Sequence, residues 1–243
     1  MNRNKLFCLT HAGGSASVFK EWSHACPPID IIPIEYSGRG RRISENLLTN
    51  LNDMVNDVYE QIFFHINESE NYSIFGHSFG GLLTFELIRK FDSFVPKHVF
   101  ISGMGAPHKR KTPPPFHLLP DDQFIERIQI MNGTPSEVLK NKELMDIFLP
   151  ILRADFKINN EYQYDLESNK INRNISIIFG DKDHIDIENI HSWKEGTDGV
   201  CDFFEINGDH FYINKNYLCC FENFFSKFAY FFLFNNISEP TRQ

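Results

Sequence analysis

The pentapeptide Gly76-His77-Ser78-Phe79-Gly80, followed by Gly81, constrains this chain more than any other stretch. It fits the pattern G-x-S-x-G and lies between an apolar run at 72–75 and a helical pattern at 80–91. A serine on a sharp turn from strand to helix needs neighbours without side chains. A Cβ at either flanking glycine would meet nearby backbone. Such a turn exposes the Ser78 hydroxyl. It also aims the Phe79 N–H, near a helix N-terminus, toward a developing oxyanion. Ser78 is therefore the candidate nucleophile, against the plainer reading of a structural glycine-rich turn.

The rest of the chain alternates in the same way. Short apolar runs at 6–10, 30–34, 72–75, 99–102, 175–179 and 203–206 read as strands. Residues 51–66 carry Met54, Val55, Val58, Ile62 and Phe63 at helical spacing, and 217–234 reads as a closing helix. This is an α/β pattern, with a mostly parallel central sheet and helices on both faces. One stretch breaks the rhythm. After the stiff loop Thr112-Pro113-Pro114-Pro115, three amphipathic helices at 121–131, 136–139 and 143–155 follow with no strand between them. A helical insertion at about 112–166, over the C-terminal edge of the sheet, is expected to be either a lid or an extra packing layer. The 243 residues suit one domain, 1–243.

A nucleophilic serine needs a base, and chains built around such an elbow order their groups Ser, then Asp or Glu, then His. His210, in Gly208-Asp209-His210-Phe211, follows the last strand, where a loop can bring an imidazole to Ser78. His184 and His191 lie before that strand and are weaker candidates. The acid should follow the preceding strand, which ends in Gly180-Asp181-Lys182-Asp183. Asp183 lies further into the loop and is favoured to orient His210. Asp181 is expected to shape the turn. The loop after the first strand, His11-Ala12-Gly13-Gly14-Ser15, offers the Ala12 N–H as a second oxyanion donor, unless it is a simple tight turn.

Composition removes several classes. Apolar residues at 42% and charged residues at 23% are ordinary for a globular chain and exclude wholesale disorder. A net charge of -8 disfavours general nucleic-acid binding. The five cysteines, Cys8, Cys26, Cys201, Cys219 and Cys220, fit neither a zinc site nor a disulfide framework, so neither metal nor cofactor is expected. The run at 6–9 is too short for a signal core, and the longest apolar run, 228–234, is far below the roughly 20 residues of a membrane span. Together these point to a cytoplasmic protein.

Five motifs in order, Thr10-His11-Ala12-Gly13-Gly14, Tyr36-Ser37-Gly38-Arg39-Gly40, Gly76 to Gly81, Gly180 to Asp183 and Gly208 to Phe211, cover almost the whole chain. In these the sequence resembles the type II thioesterases of nonribosomal peptide and polyketide assembly lines. The resemblance implies an α/β-hydrolase fold with a helical lid and hydrolysis of acyl thioesters on the phosphopantetheine arm of acyl or peptidyl carrier proteins. The arm belongs to the partner, so no cofactor is implied for this chain, and the protein is expected to be a monomer. The chain departs from the family pattern where Ser37 and His184 replace common prolines and where Asp209 replaces a common glycine. The last puts an acidic residue next to His210 in the sequence. Two basic clusters, Arg39-Arg41-Arg42 and Lys109-Arg110-Lys111, could face an acidic carrier protein or simply be solvated loops.

Alternative readings remain. The same triad serves a medium-chain chain-releasing thioesterase, a small-ester esterase or an acyltransferase. A non-catalytic binding protein on this fold is a further possibility, disfavoured by the intact Ser78, Asp183 and His210.

Overall fold

The computed structural model describes residues 4–25, 29–66, 71–91, 95–111, 114–134, 136–164 and 170–215. Six strands form one sheet: β1 (Asn4–Leu9), β2 (Ile29–Pro33), β3 (Tyr72–His77), β4 (Val99–Ser102), β5 (Ile175–Gly180) and β6 (Cys201–Ile206). Their order is β2-β1-β3-β4-β5-β6, and every neighbouring pair is parallel. Parallel strands need covered faces, and the side chains divide accordingly. In β1, Phe7 and Leu9 enter one core while Leu6 and Cys8 enter the other. In β4, Val99 and Ile101 share the first core and Phe100 lies in the second. This is the period-2 alternation of a pleated strand with both faces buried.

Eight α-helices accompany the sheet among the described residues: α1 (Trp22–Ala25), α2 (Leu51–His65), α3 (Phe79–Lys90), α4 (Asp121–Met131), α5 (Ser136–Lys140), α6 (Lys142–Glu161), α7 (Ile187–His191) and α8 (Tyr212–Lys215). α2 and α3 cover the first core through Met54, Val58, Leu83 and Leu87. Trp22 of α1 and Tyr212 and Ile213 of α8 close the second. α2 starts where the Asn50 side chain accepts the Asp53 N–H, an N-cap that satisfies one of the donors left open at a helix start. The expected strands and the helices at 51–66 and 80–91 are all present. β3 runs two residues further than expected, through Gly76 and His77. The expected closing helix, 217–234, lies outside the described residues.

α4, α5 and α6 fill the connection between β4 and β5, as the helical pattern predicts. α6 is longer than expected and continues past Pro150 and Asp155 to Glu161. Phe124 and Ile128 of α4 pack on Leu152 of α6 in a small core of their own. Among the described residues, no helix is long and apolar enough to cross a membrane.

The strand order sets where chemistry can occur. From β1 the chain passes to β2 on one side and then to β3 on the other. The crevice beyond the C-terminal ends of β1 and β3 is thus the point where the order reverses, the usual binding site of open parallel sheets. The 10–14 loop and Ser78 both emerge there.

Candidate active site

Ser78 occupies the turn between β3 and α3 with φ 55° and ψ -111°. Among the described residues only Ser78 and Asn132 combine a side chain with positive φ, and Asn132 sits in the left-handed region that asparagine tolerates at a helix end. Ser78 is thus the strained residue. The glycines around it make the turn possible. A Cβ on Gly76 would lie 2.3 Å from the Gly80 carbonyl oxygen, and one on Gly80 would lie 2.3 Å from the Leu9 carbonyl oxygen. β1 and α3 approach so closely only because residue 80 has no side chain. α3 begins at Phe79, and the first N–H groups of a helix have no partner within it.

The three residues expected to act together are brought together. His210 Nε2 lies 2.9 Å from Ser78 Oγ, and His210 Nδ1 lies 2.8 Å from Asp183 Oδ2. The Asp183 side chain is only 4% exposed, whereas His210 is 24% exposed toward the site. An ionised carboxylate only accepts, so Nδ1 carries the proton and Nε2 is left to accept from the Ser78 hydroxyl. Asp181 does what was expected of it. Its Oδ1 accepts the Gly208 N–H at 2.8 Å and clamps the β5 loop to the β6 loop. His184, where the family often has proline, lines the cavity above. Asp209 accepts the N–H of Phe211.

A second buried chain stands behind the elbow. Tyr212 donates to the Ile178 carbonyl at 3.1 Å, Ser102 Oγ lies 2.5 Å from the Tyr212 hydroxyl, and His77 Nδ1 lies 2.8 Å from Ser102 Oγ. Since the carbonyl only accepts, the donors run from His77 through Ser102 to Tyr212. Burial holds the His77 pKa well below that of a free histidine, so the ring is neutral. The Ser78 N–H donates to the Ser102 carbonyl at 2.7 Å, joining the same group of residues.

In the 10–14 loop, the Gly13 N–H donates to Asp155 Oδ2 at 2.7 Å and the Gly14 N–H donates to the His11 carbonyl at 3.0 Å. The N–H groups of Gly13 and Gly14 are thus both engaged within the protein. Asp155 also receives a two-pronged contact from Arg39, at 2.6 and 2.7 Å. Both side chains are buried. The Arg39-Arg41-Arg42 cluster therefore does not form a basic face. Arg39 is consumed inside, Arg42 pairs with Glu45 and Asp57, and only Arg41 is exposed. Sequence reading missed Asp155. The available signal was a carboxylate on the apolar face of α6, three residues from both Leu152 and Ile158.

A cavity of about 870 Å³ holds Ser78 and His210. Met131 of α4 and Asn159 of α6 form part of its wall, as do Lys109, Arg110 and Lys111. This second basic cluster thus lies at the site. Arg110 is anchored on the Asn159 carbonyl at 2.7 Å, Lys109 lies 3.4 Å from Glu195, and Lys111 is exposed. An apolar pocket of about 380 Å³ lies beyond the 11–14 loop, lined by Ile128, Val138, Phe148, Leu152 and Phe211. Among the described residues, no group of three or more His, Cys, Asp or Glu is placed to hold a metal ion.

Comparison with known proteins agrees with this fold. The thioesterase domain family matches residues 4–229. Gramicidin S biosynthesis protein GrsT of Aneurinibacillus migulanus is 39% identical over 217 residues, covering 87% of this chain and 84% of its own. Among solved structures, ClbQ from the colibactin NRPS/PKS pathway superposes with a TM-score of 0.88 at 30% identity, covering 96% of this chain and 99% of its own. The type II thioesterase BorB from the borrelidin biosynthetic cluster superposes with a TM-score of 0.79 at 28% identity, covering 91% and 92%. The chain belongs to the thioesterase family of the α/β-hydrolase superfamily, as a type II thioesterase of nonribosomal peptide and polyketide pathways.

Proposed function

We propose that this thioesterase clears acyl and aminoacyl groups from the phosphopantetheine arm of carrier proteins, with Ser78 as nucleophile, His210 as general base and Asp183 as its orienting acid. The observation that carries this reading is the continuous contact from Ser78 Oγ to His210 Nε2 at 2.9 Å and from His210 Nδ1 to Asp183 at 2.8 Å. The kinship with assembly-line enzymes supplies the substrate class.

Ser78 Oγ attacks the thioester carbonyl carbon while His210 Nε2 takes its proton. The Phe79 and Ala12 N–H groups stabilise the oxyanion. The tetrahedral intermediate collapses by breaking the C–S bond, and the imidazolium returns the proton to the departing sulfur. A thiol has a pKa of about 8.5, so this leaving group asks less of the acid than an amine would. Water then attacks the acyl-serine ester, giving its proton to His210, and the same donors serve the second intermediate. The free acid departs and Ser78 recovers its proton. Asp183 keeps the imidazole in the required tautomer throughout and offsets the positive charge that forms on it.

The insertion at about 112–166 of this single domain acts as the lid. Met131 and Asn159, both from it, face the same cavity as Ser78. The phosphopantetheine-bearing partner docks near Lys109 and Lys111, whose charge complements an acidic carrier surface.

The test is intact-mass spectrometry of carrier proteins loaded with acetyl, medium-chain or aminoacyl groups, with wild-type enzyme and with Ser78→Ala. Loss of the acyl mass that needs Ser78 and leaves the holo carrier is the expected result. Intact acyl carriers beside rapid cleavage of simple esters would overturn the proposal in favour of an esterase.

A further inference from the structure

We propose that Asp155 is a positioning residue for the oxyanion loop, so that the helical insertion, through α6, sets a backbone donor of the catalytic floor. The inference rests on the reading of Ala12 as an oxyanion donor. Its basis is a set of contacts that meet at one carboxylate. Asp155 is fully buried, on the inner face of α6. One of its oxygens accepts both the Gly13 N–H, at 2.7 Å, and Arg39 Nη1, at 2.6 Å. The other accepts Arg39 Nη2 at 2.7 Å. Arg39 Nη1 also donates to the Gly14 carbonyl at 3.2 Å.

The Ala12–Gly13 peptide is thereby held from both sides. Its N–H is fixed by Asp155, and its carbonyl accepts from His11 Nδ1 at 3.0 Å. Gly13 has φ 73°, a backbone state that a side chain would disfavour, and Leu152 of α6 packs where its Cβ would be, 2.3 Å away. α6 thus touches the loop twice, once through an apolar side chain and once through a charge-assisted hydrogen bond. Only the two backbone torsions of Ala12, φ and ψ, separate its N–H from the pinned peptide. If α6 shifts, Gly13 loses its acceptor and the preceding N–H loses its direction.

Stability is a weak explanation for such a pair. Desolvation of two buried charges offsets much of their attraction, and an apolar replacement of the same volume often serves as well. What an apolar pair cannot do is accept a backbone N–H and fix the peptide plane beside a reacting oxygen. Donor geometry of this kind acts on tetrahedral intermediates and not on bound substrate. Both chemical steps pass through such an intermediate, so the effect belongs to kcat.

The experiment uses the full chain with Asp155→Asn, and Arg39→Lys as a second variant should the first not fold. Three readings are compared with wild type: kcat and KM for a small acyl-pantetheine thioester, the Kd of an alkyl boronic acid that forms a tetrahedral adduct on Ser78, and the Kd of the matching acyl-pantetheine amide, which cannot be cleaved. The expected result is a fall in kcat and a loss of boronate affinity of roughly 10–100-fold each, with KM and amide affinity within about twofold of wild type. Arg39→Lys, which keeps the charge but not the fork, should show a smaller change in the same direction. Unchanged boronate affinity, or equal weakening of boronate and amide, would overturn the proposal. Failure of the proposed function would look different. Wild-type enzyme would then leave acyl carriers intact, while the boronate comparison would still be read on any acyl substrate that Ser78 attacks.

Discussion

Ser78 and Asp155 are held in place by different means. The chain itself holds Ser78, with φ at 55° and bare glycines at 76 and 80 where any Cβ would collide with backbone. Asp155 has nothing local to hold it. It lies inside an ordinary helix, and its partners Arg39 and Gly13 are 116 and 142 residues away in sequence. A site built from backbone strain writes itself into neighbouring residues. A site built from a distant pair does not, since each half looks unremarkable alone. The floor of the active site is of the first kind and the helical insertion of the second.

The largest expected effects test the floor. Ser78→Ala and Asp183→Asn should each lower kcat by about 10⁴-fold or more, with little change in melting temperature. Asp181→Asn, two residues before Asp183, should leave kcat nearly intact, because Asp181 Oδ1 accepts a backbone N–H and is not the carboxylate on His210 Nδ1. Steady-state kinetics on an acyl-pantetheine thioester reads all three. Equal losses for Asp181→Asn and Asp183→Asn would mean that the acid has been assigned to the wrong carboxylate.

Gly80→Ala tests whether the elbow depends on close approach. The new Cβ would meet the Leu9 and Thr10 carbonyl oxygens, and overpacking of this kind costs about 1–3 kcal/mol. Thermal melting should show a drop of several degrees. A melt identical to wild type would show that β1 can move away from α3, and the floor would then be no more rigid than the insertion.

Acid should loosen the sheet side of the molecule. His98, beside β4, has its pKa lowered to about 4 by burial, and burial also lowers those of His11 and His77. The unfolded chain takes up these protons below about pH 6.5 while the folded chain resists. Stability is therefore complete above about pH 6.5 and falls as the pH drops from there toward about 4. Melting curves at steps across that window should fall steadily, and His98→Gln should flatten part of the fall. A flat profile would remove the histidines from the account.

The smallest effect tests the insertion's edge as a docking surface. Lys111→Glu should raise KM for an acyl carrier protein several-fold and leave a free acyl-pantetheine thioester unchanged. Equal effects on both substrates would mean that Lys111, from its place in the cavity wall, acts on the acyl-pantetheine and not on the carrier surface.

Much of this was legible before any coordinates. The alternation of strands and helices, the elbow, and the order Ser78, Asp183, His210 all follow from periodicity, from glycine placement and from the loops in which the polar residues fall. The separate contacts of Asp181 and Asp183 were also readable, because a residue directly after a strand tends to shape the turn. Two things were not. Arg39 looked like one of three surface cations, and the pattern Tyr36-Ser37-Gly38-Arg39-Gly40 does not tell a buried arginine from an exposed one. Asp155 looked like the end of an amphipathic helix that in fact runs to Glu161.

Sequence by itself determined the sheet, the elbow and the polar loop residues that meet at Ser78, because local backbone sterics and the alternation of apolar residues are short-range properties written within a few positions. Only the tertiary structure decided which cation is buried, which face of α6 meets the 10–14 loop, and that Asp155 closes on Gly13 and Arg39 together. Burial and ion pairing depend on what is nearby in space, and for this carboxylate the nearest partners come from the first forty residues of the chain.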